Sequence, residues 1–433
     1  MNNMDKKNER IILRDTEVYI LNYVSDNSAS DLLLYSPLTR GIMRIPRNDY
    51  DITSESIPAK PEYEKFLSIP RNLHVDCFRD QKSEQLVRFS LIPTFKCNFS
   101  CSYCYSARGR SSKTLSIPTL NLALEHFLSR NRTERKDRYI SIVGGGEPLI
   151  VWEEITRYAV YRIRELEKEN DLDVSIGLTT NGSLITDEII DVLLENKVKV
   201  SISFELLRDI QNLHRKNYDV VINNIFRLLE KGVTPIIRMT ITPQNVNRLV
   251  EAVHECARLF PGVHIINMEY AVDKNTFSDA SSVSNFFSCF TDSFFEAFDC
   301  GKLYGIQINT SIYRNMQVLA DRFCSGDFCL TPDGYITACH RFTSPRELHF
   351  SEVTYGTVKE NRINISSSKF SQLMTYNIYR EKRCNRCPVR WHCGGTCLSL
   401  EFSYDADFIE AVCSFKRNFL ARYLSEKVKS TFN

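Results

Sequence analysis

The sequence lacks any long hydrophobic run: nowhere in its 433 residues do about 18 apolar residues follow one another without a charge, so no membrane-spanning helix is expected. The opening, MNNMDKKNERIILRDTEVYI, has early charge but no apolar stretch ahead of a small-residue cleavage site, so no secretory signal is expected and a cytoplasmic location is. Neither charge is in excess. Lys+Arg 55 against Asp+Glu 53 gives +2, which removes any general attraction for nucleic acid or an anionic membrane. Internal repeats and low-complexity tracts are missing too. With 43% hydrophobic and 25% charged residues the chain is of ordinary globular composition, and its length allows two or three domains.

What it has in quantity is cysteine, 15 in all. Cytoplasmic thiols stay reduced, so this density, with its odd total, points to metal or redox chemistry rather than disulfides. Three fall between 97 and 104 and eight between 324 and 413. Cys77, Cys256, Cys289 and Cys300 are scattered and are expected to be small buried side chains.

Residues 1–85 contain EVYILNYV and DLLLYSPLTRGIMRI, separated by the turn cluster SDNSAS, then a proline-containing stretch leading into a short helix; a small α+β unit is expected. Over 86–272, strand-like runs (LVRFSLIP, YISIVG, VSIGLTT, VKVSISF, TPIIRMTI, VHIINMEY) alternate with helix-period segments. Six β-then-α units predict a parallel sheet with right-handed crossovers, and six is short of the eight of a closed barrel. The expected form is α/β, a partial (β/α)6 TIM-type barrel with its site at the C-terminal ends of the strands. Residues 273–320 read as a linker with a Phe-rich packing helix, and 321–433 as a cysteine-rich domain closed by a helix around FKRNFLARYLSEKV.

The first chemical motif is Cys97-x3-Cys101-x2-Cys104, directly after the first barrel strand. Three thiolates in one loop wrap one face of a metal centre and leave a fourth position open, which suits a [4Fe-4S] cluster; the plainer alternative is a zinc site short of one ligand. With Tyr103 before the last cysteine, the motif resembles the signature of radical S-adenosylmethionine (SAM) enzymes. The resemblance implies that SAM binds the open iron and that its reductive cleavage yields a 5'-deoxyadenosyl radical that abstracts hydrogen from the substrate.

Three further segments resemble the SAM pocket of that family. Gly144-Gly145-Gly146-Glu147-Pro148 resembles the GGE motif, in which the backbone and Glu147 receive the methionine ammonium; by itself a glycine run after a strand equally fits a tight turn. Thr179-Thr180-Asn181-Gly182 resembles the loop lining the same pocket. Ser203, with Arg215 downstream, resembles the pair that holds the carboxylate and ribose of SAM. Glu205-Leu206-Leu207 stands where many relatives have Asp-Gly-Pro. Arg238 on the fifth strand either faces SAM or forms an ion pair within the barrel.

The cysteines from Cys324 onward form the most specific pattern. Cys324, Cys339, Cys384, Cys387, Cys393, Cys397 and Cys413 reproduce the seven-cysteine SPASM pattern of radical SAM enzymes, and Cys329 adds an eighth thiol. Eight thiolates suffice for two four-iron clusters. The family's interleaving assigns Cys324, Cys329, Cys339 and Cys397 to one, and Cys384, Cys387, Cys393 and Cys413 to the other; a zinc ribbon is the alternative. His340 and His392 adjoin cysteines and are expected to support the site rather than ligate.

The resemblance, over roughly 85–415, implies three [4Fe-4S] clusters, SAM, an external reductant such as flavodoxin or ferredoxin, and a peptide substrate. The N-terminal unit resembles the winged-helix element that binds the leader of a ribosomally made precursor by strand addition. The reading is a peptide maturase that installs a crosslink, a carbon–carbon cyclophane, an ether or a thioether. The alternatives are a sulfatase-type formylglycine maturase, a peptide epimerase or, from a different class, a non-catalytic metal-binding or electron-transfer module. No residue stands out as the catalytic base.

Overall fold

The computed structural model describes residues 10–13, 16–24, 31–51, 56–70, 74–271, 276–277 and 279–432. The N-terminal strands β1 (Arg10–Leu13), β2 (Thr16–Asn22), β3 (Asp31–Ser36) and β4 (Gly41–Pro46) form an antiparallel sheet in that order. Alternating burial is absent from β2 and β3 because both faces of this sheet are covered. Val18, Ile20, Leu32, Leu34 and Ile45 pack on Tyr63 and Phe66 of helix α1 (Pro61–Leu67), while Tyr19, Leu21, Leu33 and Tyr35 join the main core. Among the described residues up to 85, α1 is the one α-helix, fewer than a winged-helix element has.

The second face of this sheet docks on the cysteine-rich region. Glu17 accepts from the Arg390 guanidinium and, at 2.6 Å, from the Trp391 indole. The Tyr35 hydroxyl lies 2.5 Å from His392 Nε2, and Val24 N donates to Ser425 Oγ at 2.9 Å.

The barrel runs β5 (Arg88–Leu91), α2 (Ile117–Phe127), β6 (Asp137–Ile142), α3 (Arg157–Glu169), β7 (Asp173–Thr180), α4 (Asp187–Glu195), β8 (Lys199–Ser203), α5 (Arg208–His214), α6 (Tyr218–Glu230), β9 (Ile236–Ile241), α7 (Leu249–Leu259) and β10 (Ile265–Tyr270). Local chemistry starts the helices: the Ser116 hydroxyl caps α2 by accepting from Thr119 N, and Thr186 caps α4 by accepting from Ile189 N. All six expected strands are present and mutually parallel. The segment 273–320 adds α8 (Ala280–Leu303), a seventh parallel strand β11 (Gln307–Asn309) and α9 (Ser311–Asn315). At the other edge β12 (Phe328–Leu330) pairs parallel with β5 and turns into an antiparallel run of β13 (Tyr335–Thr337), β14 (Thr354–Lys359) and β15 (Arg362–Ile365). The result is one open eleven-stranded sheet.

A parallel sheet covered on both faces has near-continuous apolar strands. Here the strands alternate, because helices cover one face and the other lines the barrel lumen. Phe89, Ile140, Leu178, Val200, Ile237 and Ile266 are buried in the core with helix residues such as Leu124 and Ile163. Ser141, Thr179, Ser201, Ser203, Arg238, Thr240, Asn267 and Glu269, on the opposite face, are half-buried and polar.

The Phe-rich face of α8 packs against the closing helix, Ala406–Phe432. Phe287 and Phe415 stack with centroids 4.3 Å apart, and Tyr270 meets both edge-on. Of the scattered cysteines, Cys256 and Cys300 are buried as expected, whereas Cys77 and Cys289 are exposed, on a turn and on the outer side of α8. Among the described residues no helix is long and apolar enough to cross a membrane.

The Glu17 junction generates a stability prediction. Glu17 and Arg390 are largely buried, at 10% and 13% side-chain exposure, so Glu17→Ala strands a cation and is expected to cost about 3–5 kcal/mol. Circular dichroism melts check this: a lowered transition is expected, and an unchanged one contradicts a tightly docked N-terminal sheet.

Candidate functional site

The loop leaving β5 carries Cys97, Cys101 and Cys104, all half-buried. It is clamped from three sides. Glu147 N donates to the Lys96 carbonyl at 2.8 Å, and a Cβ on Gly146 would lie 2.0 Å from that oxygen, so only glycine allows the loop after β6 to approach this closely. Ser102 N donates to the His214 carbonyl at 3.1 Å, the Ser102 hydroxyl lies 2.7 Å from His214 Nδ1, and His214 Nε2 lies 3.2 Å from the Thr242 hydroxyl. Burial pushes the His214 pKa down, so its ring is neutral in this network. Arg110 donates to the Phe99 carbonyl and, at 3.4 Å, to Cys104 Sγ; Arg215 Nη1 reaches Cys101 Sγ at 3.7 Å. Burial pushes the Cys97 and Cys101 thiols up, against the pull of these guanidiniums. Three sulfurs and two cations around one loop suit an anionic metal cluster with an open corner.

Of the expected SAM-pocket residues, Glu147, Asn181 and Arg215 bond to this loop, and Tyr103 is part of it. Glu147 is 2% exposed, and its carboxylate accepts from Leu149 N (3.1 Å), Thr180 Oγ1 (2.7 Å) and Asn181 N (2.7 Å). It thus ties the Gly144–Gly146 turn to the loop after β7, and three of the about four acceptor sites of a carboxylate are filled by the protein. Burial nevertheless pushes its pKa up. Gly145 has φ +74°, a backbone state glycine adopts without strain. Asn181 donates to the Asn98 side chain at 2.8 Å, linking the third loop directly to the cysteine loop. Ser203 and Arg238 are registered neighbours on β8 and β9, on the lumen face.

Arg215 is held from one side by the protein. Its Nε donates to Glu205 at 2.9 Å and to the Tyr103 hydroxyl at 2.6 Å, Tyr103 in turn donates to Glu205, and Thr240 N donates to the other Glu205 oxygen at 3.0 Å. Glu205 is fully buried and balances the charge of Arg215 beside the cysteine loop. Leu206 sustains this placement in a left-handed backbone state (φ +63°), which costs a non-glycine residue about 1–3 kcal/mol. Sequence reasoning noted the unusual Glu205-Leu206-Leu207 but gave Glu205 no role. It also passed over Tyr105, which follows Cys104, feels the charges of Cys104 and Cys339, and lies under the Arg341 guanidinium at 5.2 Å.

The eight later cysteines face one another in two sets. Cys384, Cys387, Cys393 and Cys413 form one: burial, then mutual repulsion, pushes Cys384 to about 12 and Cys387 to about 11. Cys324, Cys339 and Cys397 form the other, with fully buried Cys329 beside Cys339. Thiols held this high are neutral unless a metal takes the proton's place. Among the described residues no group of three or more His, Cys, Asp or Glu side chains is arranged to hold a single metal ion. Tyr105 places the second set next to the first loop, and Tyr270, at the C-terminal end of β10, feels both Cys397 and Cys393. His392 is engaged by Tyr35 and by the Asn315 and Val318 carbonyls, with its pKa pushed to about 4 by burial; His340 lies 3.5 Å from Asp327.

Arg215→Ala leaves Glu205 buried without its cation and is expected to cost about 3–5 kcal/mol, with Glu205→Gln costing less. Melting curves of the two variants check this, and equal stability of Arg215→Ala and wild type contradicts the pairing.

Residues 91–256 match the Radical SAM superfamily. The chain is similar to the radical SAM cyclopropyl synthase TigE of Paramaledivibacter caminithermalis, 21% identical over 382 residues that span 82% of this chain and 77% of the relative. It is also similar to a cysteine-type anaerobic sulfatase-maturating enzyme of Clostridium novyi, 21% identical over 324 residues, 68% of this chain and 83% of that one. A shorter match, 25% identical over half of each chain, is to the sporulation killing factor maturation protein SkfB of Bacillus subtilis. Among solved structures, native anSMEcpe with bound AdoMet superposes with a TM-score of 0.62 at 16% identity, covering 80% of this chain and all of the other. The loop of three cysteines at the end of β5, the glycine turn braced against it and this match together make residues 91–256 a radical SAM domain.

Proposed function

We propose that the chain is a radical SAM peptide maturase that abstracts hydrogen from a core-peptide residue and installs an intramolecular crosslink, with three [4Fe-4S] clusters, SAM and an external flavodoxin- or ferredoxin-type reductant. The observation that carries this reading is the gathering of three thiols and two further thiol sets at one end of a polar lumen. Cys97, Cys101 and Cys104 hold the first cluster. Cys324, Cys329, Cys339 and Cys397 hold the second, and Cys384, Cys387, Cys393 and Cys413 the third. SAM, when bound, supplies hydrogen-atom abstraction from an unactivated carbon.

The chain's own residues bind and orient. Glu147 offers its open acceptor site to the SAM ammonium beside Gly145 and Gly146. Tyr103 and Glu205 hold Arg215 through Nε and Cys101 Sγ meets Nη1, which leaves Nη2 for the SAM carboxylate. Asn181 keeps the third loop against the cysteine loop. Ser203 and Arg238 line the lumen where the reacting residue enters. The antiparallel N-terminal sheet has β1 and β4 at its edges, and an edge strand offers unpaired backbone groups to a leader peptide. The relative named as a maturation protein, SkfB, and the similar fold of anSMEcpe, solved with a bound peptide, support a peptide substrate.

A second reading, a sulfatase-type formylglycine maturase, is favoured by the fold shared with anSMEcpe and the match to the Clostridium novyi enzyme. One experiment separates the two. The protein is co-expressed anaerobically with the small open reading frames that neighbour its gene, and the peptides are examined by mass spectrometry and with an aldehyde-reactive hydrazide. Loss of two hydrogens per new bond without hydrazide labelling is expected. A labelled aldehyde establishes the second reading, and an unchanged mass with inverted stereochemistry establishes an epimerase. Zinc in place of iron, with no 5'-deoxyadenosine formed, contradicts the enzyme readings altogether.

A further inference from the structure

Each of the two later thiol sets carries a buried cation on one of its sulfurs. Lys416, on the closing helix and 5% exposed, donates from Nζ to Cys393 Sγ at 3.2 Å. Arg322, 2% exposed, donates from Nη1 to Cys324 Sγ at 3.2 Å and to the Cys324 carbonyl, and from Nη2 to the Leu373 carbonyl at 3.3 Å. Its Nε is buried without a partner. Among the described residues, neither cation has a carboxylate within the 4.0 Å of a salt bridge. The space beside Lys416 is about 10 Å³, lined by Tyr270, Ser311, Asn315 and His392 as well as Ile312, Met316 and Phe323, too little for more than a single water.

A buried charge without a counter-ion costs several kcal/mol, and each of the two later thiol sets lies beside one. In both places the one available anion is sulfur. A free thiol is a weak acceptor without charge, whereas a thiolate fixed on iron is an anion at every pH the cluster survives. A positive N–H donor at a ligand sulfur in turn stabilises the reduced, more negative form of an iron–sulfur cluster more than the oxidised form.

We infer that Lys416 and Arg322 are positioning residues, one for each auxiliary cluster, that act through Cys393 Sγ and Cys324 Sγ to raise that cluster's reduction potential. The inference rests on the reading that the eight later cysteines hold two four-iron clusters. It gives the two clusters separate electrostatic controls: a primary ammonium from the closing helix for one, and a guanidinium from the segment before β12 for the other.

The test is a redox titration followed by electron paramagnetic resonance on the full-length chain, reconstituted anaerobically with iron and sulfide. The proteins compared are wild type, Lys416→Met, Lys416→Arg and Arg322→Met. Lys416→Met and Arg322→Met are each expected to shift the reduction equilibrium of one auxiliary cluster about tenfold towards the oxidised form, about 59 mV for a one-electron couple. The cluster affected differs between the two, and Lys416→Arg keeps the wild-type value. Where a Met variant loses iron, Lys416→Gln or Arg322→Gln, which retain a donor without the charge, takes its place in the same titration. Wild-type potentials in variants with full iron overturn the inference while leaving the cluster reading standing. Wild-type protein holding iron for one cluster alone overturns the cluster reading itself, before any potential is compared.

Discussion

Eleven sulfurs are crowded into buried or half-buried positions at one end of the barrel, and buried thiolates repel one another. This constraint governs the region. Burial and the neighbouring sulfurs push Cys384 and Cys387 up to about 12 and 11. With a metal the same crowding becomes a donor array. Cations lie beside several of these sulfurs: Arg110 and Arg215 on the first loop, Arg322 and Lys416 on the later sets.

The second requirement is that the cysteine loop be rigid, since a cofactor at its open corner must meet its partners in register. Three strand-end loops meet there. The turn after β6 presses on the Lys96 carbonyl, the loop after β7 hangs from the Glu147 carboxylate, and the residues after β8 supply Glu205 for Arg215. The polar lumen starts directly below, with Ser203 and Arg238 side by side. On the far side, Glu17, Tyr35 and Val24 join the N-terminal sheet to Arg390, Trp391, His392 and Ser425. The sheet that would engage a leader is thus packed against the residues that flank Cys393.

Much of this was legible in the sequence because strand period, loop glycines and cysteine spacing are local signals. The six barrel strands and the Phe-rich packing face of α8 follow from such patterns, whereas the division of the later cysteines into two sets came from the family resemblance and not from their spacing. β11 did not, since Gln307–Asn309 is too short to show a period. The docking of the N-terminal sheet was also hidden, although the unbroken runs VYIL and LLLY are what a strand buried on both faces requires. Glu205 was visible only as an oddity, because its role depends on Tyr103 and Arg215, distant in sequence and brought together by β8 and α5. Lys416 looked like one more charge in FKRNF; its burial is set by the rotation of the closing helix against Cys393.

The central claim is that this chain holds three separate four-iron clusters, one open and two closed. Mössbauer spectroscopy of protein reconstituted with enriched iron tests it most directly, comparing wild type with a variant in which Cys97, Cys101 and Cys104 are all replaced by Ala. The account predicts about twelve iron and twelve sulfide per chain in the wild type, and about eight of each in the variant. Zinc in the later cysteine sets, or a triple variant that loses all of its iron, contradicts it.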